Sequence, residues 1–384
     1  MRLAFEEAFR AVGKSEPNPA VGALLLSADG HIIGRGHTGE PGANHAEVNA
    51  IEQARSSFPD KVKGSTLFVT LEPCTHFGRT PPCSLAIQQA EIKAVYAASR
   101  DPNPKQNGNA FDALLSRGIL AEHTGEKTFE EEIFWTTGPF LRRLKRGRPA
   151  LILKWAQSME GHIGIAGRPS GKLSGPCSME IMHRLRSLFH FIGATPGTIR
   201  TDYPRLTSRP GQCSLAGMPG DTPLRRILKL RENGLAHERP TERFFLLPQN
   251  ADFYEKSETS DWIREVELAD GKNYFGVPPA LSVRSFDGRN IFPLPSLIFF
   301  GNSPHLPELN HILLEAGTGA SDGFLREGVV DYLVVFRTQS YLPEGRGNAI
   351  SLTMARQIPD GWKLREHILY EDADMLFLEK ADAD

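Results

Sequence analysis

The sequence predicts a two-domain α/β protein. Three observations carry this. The chain has 384 residues, which is long for one ordinary domain and suggests two. Residues 1–145 alternate helix-like and strand-like patterns, as an α/β sandwich with a mixed sheet would. After Lys145-Arg146-Gly147-Arg148-Pro149 the alternation restarts, and a basic, Gly/Pro-containing stretch at an element boundary reads as a linker. The expected domains are residues 1–145 and 146–384.

In the first domain, RLAFEEAFRAV (2–12) has helical spacing, with Leu3, Ala4, Ala8 and Ala11 on one face. AVGALLLS (20–27) and HIIGRG (31–36) read as paired strands joined by the turn signal Ala-Asp-Gly. A helix follows over 46–58, a short buried strand over 65–71, a helix over 84–92 and a strand over 93–100. Residues 109–118 read as a helix with Gly118 as a plausible C-cap. Residues 129–147 read as a long helix broken near Gly138-Pro139. In the second domain, 150–158 is strand-like and 177–189 helical. RRILKL (225–230), RFFLLP (243–248) and LIFF (297–300) read as short strands. Residues 310–336 read as strand, glycine turn, helix, strand, a turn suited to a phosphate or nucleotide. The stretch 205–275 is rich in Pro, Gly and Arg and gives few clear elements. No internal repeat or low-complexity tract is present.

Composition narrows the function. Apolar residues make up 40% and charged residues 23% of the chain, so a packed core is feasible. A net charge of -2 leaves no footprint for nucleic acid or a membrane surface. The longest apolar runs are too short to span a bilayer. The N-terminus is charged in helical spacing and has no signal-peptide core, so it reads as an amphipathic helix of a cytoplasmic protein. Four cysteines make no disulfide framework. Cys177 and Cys213 are expected to be buried filler.

VTLEPCTHFGRTPPC (69–83) holds Cys74 and Cys83 in a polar loop, and NHAEVNA places His45 two residues before Glu47. One histidine, two thiolates and a nearby glutamate form the constellation of the zinc deaminases. Three protein ligands leave zinc a fourth position for water, whose pKa the metal lowers to about 7. Glu47 must stay off the metal, take the water's proton and pass it to the ring nitrogen and the departing amine. An i,i+2 pair shares no regular helix face, so His45 and Glu47 should converge at a helix start. Cys83 after Pro81-Pro82 is a sensible helix entry, and a helix N-terminus favours the thiolate. The rival is a Cys74–Cys83 disulfide, which leaves the His-x-Glu unexplained.

The C-x8-C spacing, with PNPAVG (17–22), HAE (45–47) and DPNP (101–104), closely resembles the bifunctional deaminase–reductases of riboflavin biosynthesis. The resemblance implies a cytidine-deaminase-like α/β/α sandwich followed by a dihydrofolate-reductase-like α/β domain. It implies zinc on His45, Cys74 and Cys83, with Glu47 as proton shuttle. The substrate would be a diaminopyrimidinone ribosyl phosphate, met by Asn18, His76 and Arg79. Asn18 can read a pyrimidine edge and Arg79 can grip a phosphate, although Asn18 between two prolines also suits a turn. The family usually has a Tyr-His pair before the H-A-E histidine. Here His37-Thr38 stands there, and a one-residue shift in a strand flips the side chain.

For the second domain the resemblance implies NADPH-dependent reduction of the ribosyl to a ribityl group. Ser170, Arg186, Leu206, Arg209 and Glu315 match substrate contacts, and Ala156, Lys172, Thr198, Asp202 and Gly317 match cofactor contacts. Glu160, Lys172 and Tyr203 depart from the pattern, ILKLRE (Ile227–Glu232) lacks the usual Asp-Ser, and the later P-x-x-L-G-G-like segment is not evident. Two alternatives stand beside the bifunctional reading: a deaminase with a non-catalytic scaffold domain, and a zinc deaminase of another base or nucleotide. The expected partner is a small pyrimidine ribosyl phosphate, with no nucleic acid or membrane, in a homo-oligomer.

Overall fold

The structure is a computed structural model. It describes all residues except 79, 102, 104–108, 166–172, 190, 195–197, 199–205, 207, 232–241, 249–264, 268–272, 276–296, 301–308, 339–346, 350–357 and 382–384. The chain forms two compact units, Met1–Gly147 with Gly220–Leu230, and Arg148–Pro219 with Arg231–Asp384.

The first unit runs α1 (Arg2–Ala11), β1 (Gly22–Leu26), β2 (Ile32–His37), α2 (Ala46–Ser57), β3 (Thr66–Val69), α3 (Cys83–Gln89), β4 (Ala94–Ala97), α4 (Asn109–Leu115), β5 (Leu120–His123), α5 (Glu130–Trp135) and α6 (Gly138–Arg146). Its sheet has the order β2-β1-β3-β4-β5. β1 is antiparallel to β2 and β3, and β3, β4 and β5 are parallel, so the sheet is mixed as expected. Glycines set how closely the helices approach. A Cβ at Gly22 would lie 1.9 Å from the Ala4 oxygen of α1, and one at Gly36 would lie 2.3 Å from the Ala46 oxygen of α2. Gly22 and Gly36 therefore mark the two packed faces of the sheet. Leu25, Ile51, Leu67, Val95 and Ala121 belong to one apolar core.

Three local readings differ from the structure. Leu3 is 43% exposed, and the buried side of α1 is Ala4, Phe5, Ala8, Phe9 and Ala11. The two phenylalanines draw the stripe around the helix and leave Leu3 outside it. Strand β5 escaped notice because only Ala121 of Leu120–His123 is buried, so it carries no alternating pattern. RRILKL is not a strand. It lies in helix α8 (Pro223–Leu230), which belongs to the first unit and buries Leu224, Ile227 and Leu228. These sit at i, i+3 and i+4, one helix face, with Thr222-Pro223 as a helix-entry signal. Helix α8 packs on α1 and α5, and Arg226 bonds Glu6 of α1.

The second unit has β6 (Ala150–Ser158), β7 (His162–Ile165), α7 (Pro176–Arg186), β8 (Phe191–Ala194), β9 (Glu242–Pro248), β10 (Glu265–Glu267), β11 (Asn273–Phe275), β12 (Leu297–Phe300), β13 (His311–Glu315), α9 (Thr318–Arg326), β14 (Tyr332–Thr338), β15 (Gly347–Ala349), β16 (Trp362–Tyr370) and β17 (Ala373–Lys380). Its main sheet has the order β12-β9-β8-β13-β6-β14-β17-β16. The central strands β8, β13, β6 and β14 are parallel, which explains the near-continuous apolar runs of β6 and β14. Leu151, Leu153, Leu314, Phe324, Leu333 and Val335 form part of its core. The closing hairpin β16–β17, which the sequence reading did not include, has a register break between Leu364 and Glu366 that interrupts the alternation.

Cys177 and Cys213 are not separate fillers. They form a disulfide with Cα atoms 5.0 Å apart, and Cys213 is only half-buried. The crosslink ties the loop after Leu206 to the start of α7. Glu180 of α7 holds the same loop, accepting the Gly211 and Gln212 N–H groups at 2.6 and 2.8 Å. Titration of the denatured, metal-free chain with a thiol reagent should report Cys74 and Cys83 alone, and all four cysteines after reduction. Four thiols before reduction would show that the bond does not form.

Candidate metal centre and active site

The site of the first unit gathers at one end of its sheet. Strand β3 runs into Thr70-Leu71-Glu72-Pro73-Cys74. The Thr70 N–H donates to the Gly22 oxygen at 3.0 Å and its hydroxyl accepts the Gly22 N–H at 3.1 Å. The segment before β1, including Asn18, therefore reaches the same sheet end. So do the end of β2, whose His37 pairs with Gly22, and the end of parallel β4.

His45 is the N-cap of α2, with an extended backbone (φ -73, ψ 164), and Glu47 lies in the first helical turn. This helix start is where an i,i+2 pair can converge. Cys83 opens α3, with Pro82 as its extended N-cap. The Cys83 N–H donates to Cys74 Sγ at 3.2 Å and the Ser84 N–H to the Cys74 oxygen at 3.1 Å. The α3 terminus thus points its free amides at Cys74.

His45 Nδ1 lies 3.1 Å from Cys83 Sγ and 3.6 Å from Cys74 Sγ, and the two sulfurs are 3.4 Å apart. Zinc bonds of about 2.3 Å to sulfur and about 2.0 Å to nitrogen would separate tetrahedral ligands by roughly 3.5–3.8 Å. The three donors fit that triangle with small adjustments, and both thiols are unbridged. The disulfide reading of this pair is thereby set aside. Cys74 is pushed down to about 4, first by the hydrogen bond from Cys83 and then by His45. Cys83 is pushed up, first by its bond to Cys74 and then by burial. Metal binding takes both sulfurs as thiolates and releases the thiol protons. The hydrogen bond to Cys74 raises His45. Glu47 is 3% exposed, and burial raises its carboxyl above the usual range.

The other expected residues divide. Asn18 is half-buried in the loop before β1, its N–H donating to the Ser15 oxygen at 2.9 Å and its own oxygen accepting from the Ser15 hydroxyl at 3.1 Å. His76 is exposed and acts electrostatically on Asp101. Arg79 lies outside the described residues. The imidazole of His37 goes to Glu7 of α1, Nδ1 to Oε2 at 3.4 Å. Thr38 is buried, and its hydroxyl accepts the Val21 N–H at 3.2 Å. The shifted histidine thus joins the α1 side, while α2 carries His45 and Glu47. Sequence reasoning gave no role to Glu72, although its place beside Cys74 was a signal.

In the second unit, Arg186 and Glu315 meet in a two-pronged pair at 2.7 and 2.9 Å. Lys154 of β6 stands 3.8 Å from Glu315. Burial pushes Glu315 up, but the charges of Arg186 and Lys154 outweigh it and hold the carboxyl well below its usual range. Lys154 was also missed; a lysine inside an apolar strand was its signal. Ala156 follows two residues along β6, opposite Phe336. Leu206 is buried at φ 51, a left-handed conformation costly for leucine, and Arg209 is half-buried. Gly317 caps α9, and among the described residues a Cβ there would meet Thr198 Oγ1, at 3.9 Å. A glycine at such a strand-to-helix turn fits a cofactor phosphate. Ser170, Lys172, Asp202 and Tyr203 lie outside the described residues, and Leu230 ends α8 rather than a strand beside a cofactor.

Residues 1–99 match the cytidine and deoxycytidylate deaminase zinc-binding region. The riboflavin biosynthesis protein RibD of Aquifex aeolicus (strain VF5) is 31% identical over 370 residues, 95% of this chain and 93% of that protein. The RibD of Escherichia coli (strain K12) is 28% identical, covering 88% and 86%. The solved structure of Acinetobacter baumannii RibD, form 1, shares the fold at TM-score 0.68 and 24% identity, over 99% of this chain and 98% of the other.

Proposed function

Since this chain belongs to the RibD family of riboflavin biosynthesis, we propose a role for each side chain gathered at its two sites. The protein is a bifunctional deaminase and reductase of that biosynthesis, with zinc and NADPH as cofactors. The single observation that carries the deaminase half is the triangle of His45 Nδ1, Cys74 Sγ and Cys83 Sγ beside a buried Glu47.

On this reading the substrate is a small pyrimidine phosphate, specifically the diaminopyrimidinone ribosyl phosphate. His45, Cys74 and Cys83 hold zinc, which when bound supplies water activation near neutral pH. Glu47 moves two protons in turn, one from the attacking water to the ring nitrogen and one from the added hydroxyl to the departing amine, so that the ring gains a carbonyl as ammonia leaves. Its burial suits the part of the cycle in which the carboxyl is protonated. Asn18 and His76 meet the pyrimidine and Arg79 the phosphate. In the reductase half, Gly317 and Thr198 would cradle NADPH, which supplies hydride, with Ala156, Lys172 and Asp202 along its path. Arg186, Glu315, Leu206, Arg209 and Ser170 are assigned to the ribosyl phosphate, with the Arg186–Glu315 pair orienting the polar groups. Residues 1–145 and 146–384 are the two working domains, with α8 returning to the first. We place the enzyme in the cytoplasm as a homo-oligomer. Among the described residues no helix is long and apolar enough to cross a membrane.

One preparation tests both halves. Purified protein given the diaminopyrimidinone phosphate should release ammonia, and given the deaminated product should oxidise NADPH. The Cys74→Ser, Cys83→Ser double variant should lose its one zinc per chain and ammonia release, while NADPH oxidation persists. Zinc-independent ammonia release would overturn the metal assignment. Absence of saturable NADPH binding and oxidation would overturn the reductase roles.

A further inference from the structure

Cys177 and Cys213 take part in neither reaction, yet their bond joins residues 36 apart in the second unit. It closes the end of a loop laid along one helix. The Ser208 hydroxyl donates to the His183 oxygen at 2.6 Å. Glu180 Oε2 accepts the Gly211 and Gln212 N–H groups, and its Oε1 accepts from Arg184 Nε at 2.6 Å. Cys213 then bonds Cys177. The chain from Ser208 to Cys213 thus runs antiparallel to α7, tied at His183, Glu180 and Cys177, each three residues from the next and on one helix face. Arg209 lies within these ties and Leu206 just before them. Arg186 ends the same helix.

The two ends of the bond differ. Cys177 is 6% exposed, and its backbone is fixed. Asp372 Oδ1 accepts the Cys177 N–H at 2.8 Å and Oδ2 the Ser178 N–H at 3.2 Å. Cys213 is half-buried, between the exposed Gln212 and Ser214, so an incoming thiolate meets Cys213 first. Without the bond, the far end of the loop rests on hydrogen bonds such as those to Glu180 and from the Tyr370 hydroxyl to the Ser214 oxygen at 3.0 Å. Water competes for these, so each contributes little net stability. In the cytoplasm, where the protein is placed above, a disulfide that forms is usually transient or redox-sensing.

We propose that Cys213 is a thiol-exchange site through which a dithiol reductant loosens the loop carrying Arg209 and so weakens binding of the reductase substrate. This rests on the reductase reading above. One thiolate of the reductant attacks Cys213 Sγ, and the bond to Cys177 breaks. The second thiol then attacks the mixed disulfide and releases Cys213. Each released thiolate takes up a proton that the reductant gave, so the cysteine pair gains two electrons and two protons while the dithiol closes to its own disulfide.

The test compares full-length protein before and after dithiothreitol. If the fraction of molecules with the loop in place falls to about one fifth, KM for the deaminated phosphate in the NADPH assay rises about 5-fold, with kcat within about 2-fold. Reoxidation should restore the first value. Hydrogen exchange of the Gly211 and Gln212 amides should quicken on reduction, a readout that needs no substrate. Cys213→Ser should show the raised KM and no response to dithiothreitol. Its zinc content and ammonia release should match wild type, which a general loss of fold would not allow. Cys177→Ser decides the matter if the first variant does not fold. Unchanged KM or unchanged exchange on reduction would overturn the proposal, as would a response to dithiothreitol that persists in Cys213→Ser. Wild-type protein that oxidises no NADPH with this compound in either redox state would instead overturn the reductase reading, and the proposal with it.

Discussion

Glu47→Gln should retain zinc and lose ammonia release by roughly 10²–10⁴-fold, the range for removing a general acid–base group. Glutamine matches the size of the buried side chain, so packing at the start of α2 is kept. It cannot carry a proton between a nucleophile and a leaving amine. His45, Cys74 and Cys83 remain, so metal analysis should be unchanged while kcat falls. NADPH oxidation with the deaminated product should be unaffected and serves as the control for fold. Activity within a few-fold of wild type would show that another group moves the proton.

A chain ending at Gly147 should fail to give a stable deaminase. Leu224, Ile227 and Leu228 of α8 are fully buried within the first unit. Each such side chain contributes about 1.5–3 kcal/mol. Together they approach the roughly 5–15 kcal/mol that holds a whole domain. Cutting them away also bares the faces of α1 and α5 that they cover. The fragment 1–147 should therefore be insoluble or unable to retain zinc. In the full chain, Leu228→Ala should cost about 2–5 kcal/mol in unfolding measurements on the deaminase half. A soluble, zinc-loaded 1–147 fragment would show that α8 is dispensable.

The deaminase chemistry was readable because it is local. His45-x-Glu47 and Pro81-Pro82-Cys83 each carry their own backbone device, a helix N-cap and a proline helix entry, and Pro73-Cys74 follows closely on a short, partly buried strand. The strand and helix runs of the first unit were readable for the same reason, because alternation and helical spacing repeat within a few residues. Leu120–His123 failed that test, since one buried residue makes no pattern.

By itself the sequence determined the α/β class and singled out the three candidate zinc donors and their neighbouring glutamate, since each depends on residues close along the chain. Only the tertiary structure decided what depends on distant residues meeting. RRILKL is too short to show a period, and the faces of α1 and α5 that make it a helix lie far away in sequence. Cys177 and Cys213 are 36 residues apart, and no spacing rule pairs them before the loop folds onto α7. The buried contacts of Glu72 and of the Lys154, Arg186 and Glu315 cluster likewise emerged only when separate strands and helices converged. A carboxylate is defined by the donors it meets, and those donors come from elsewhere in the chain.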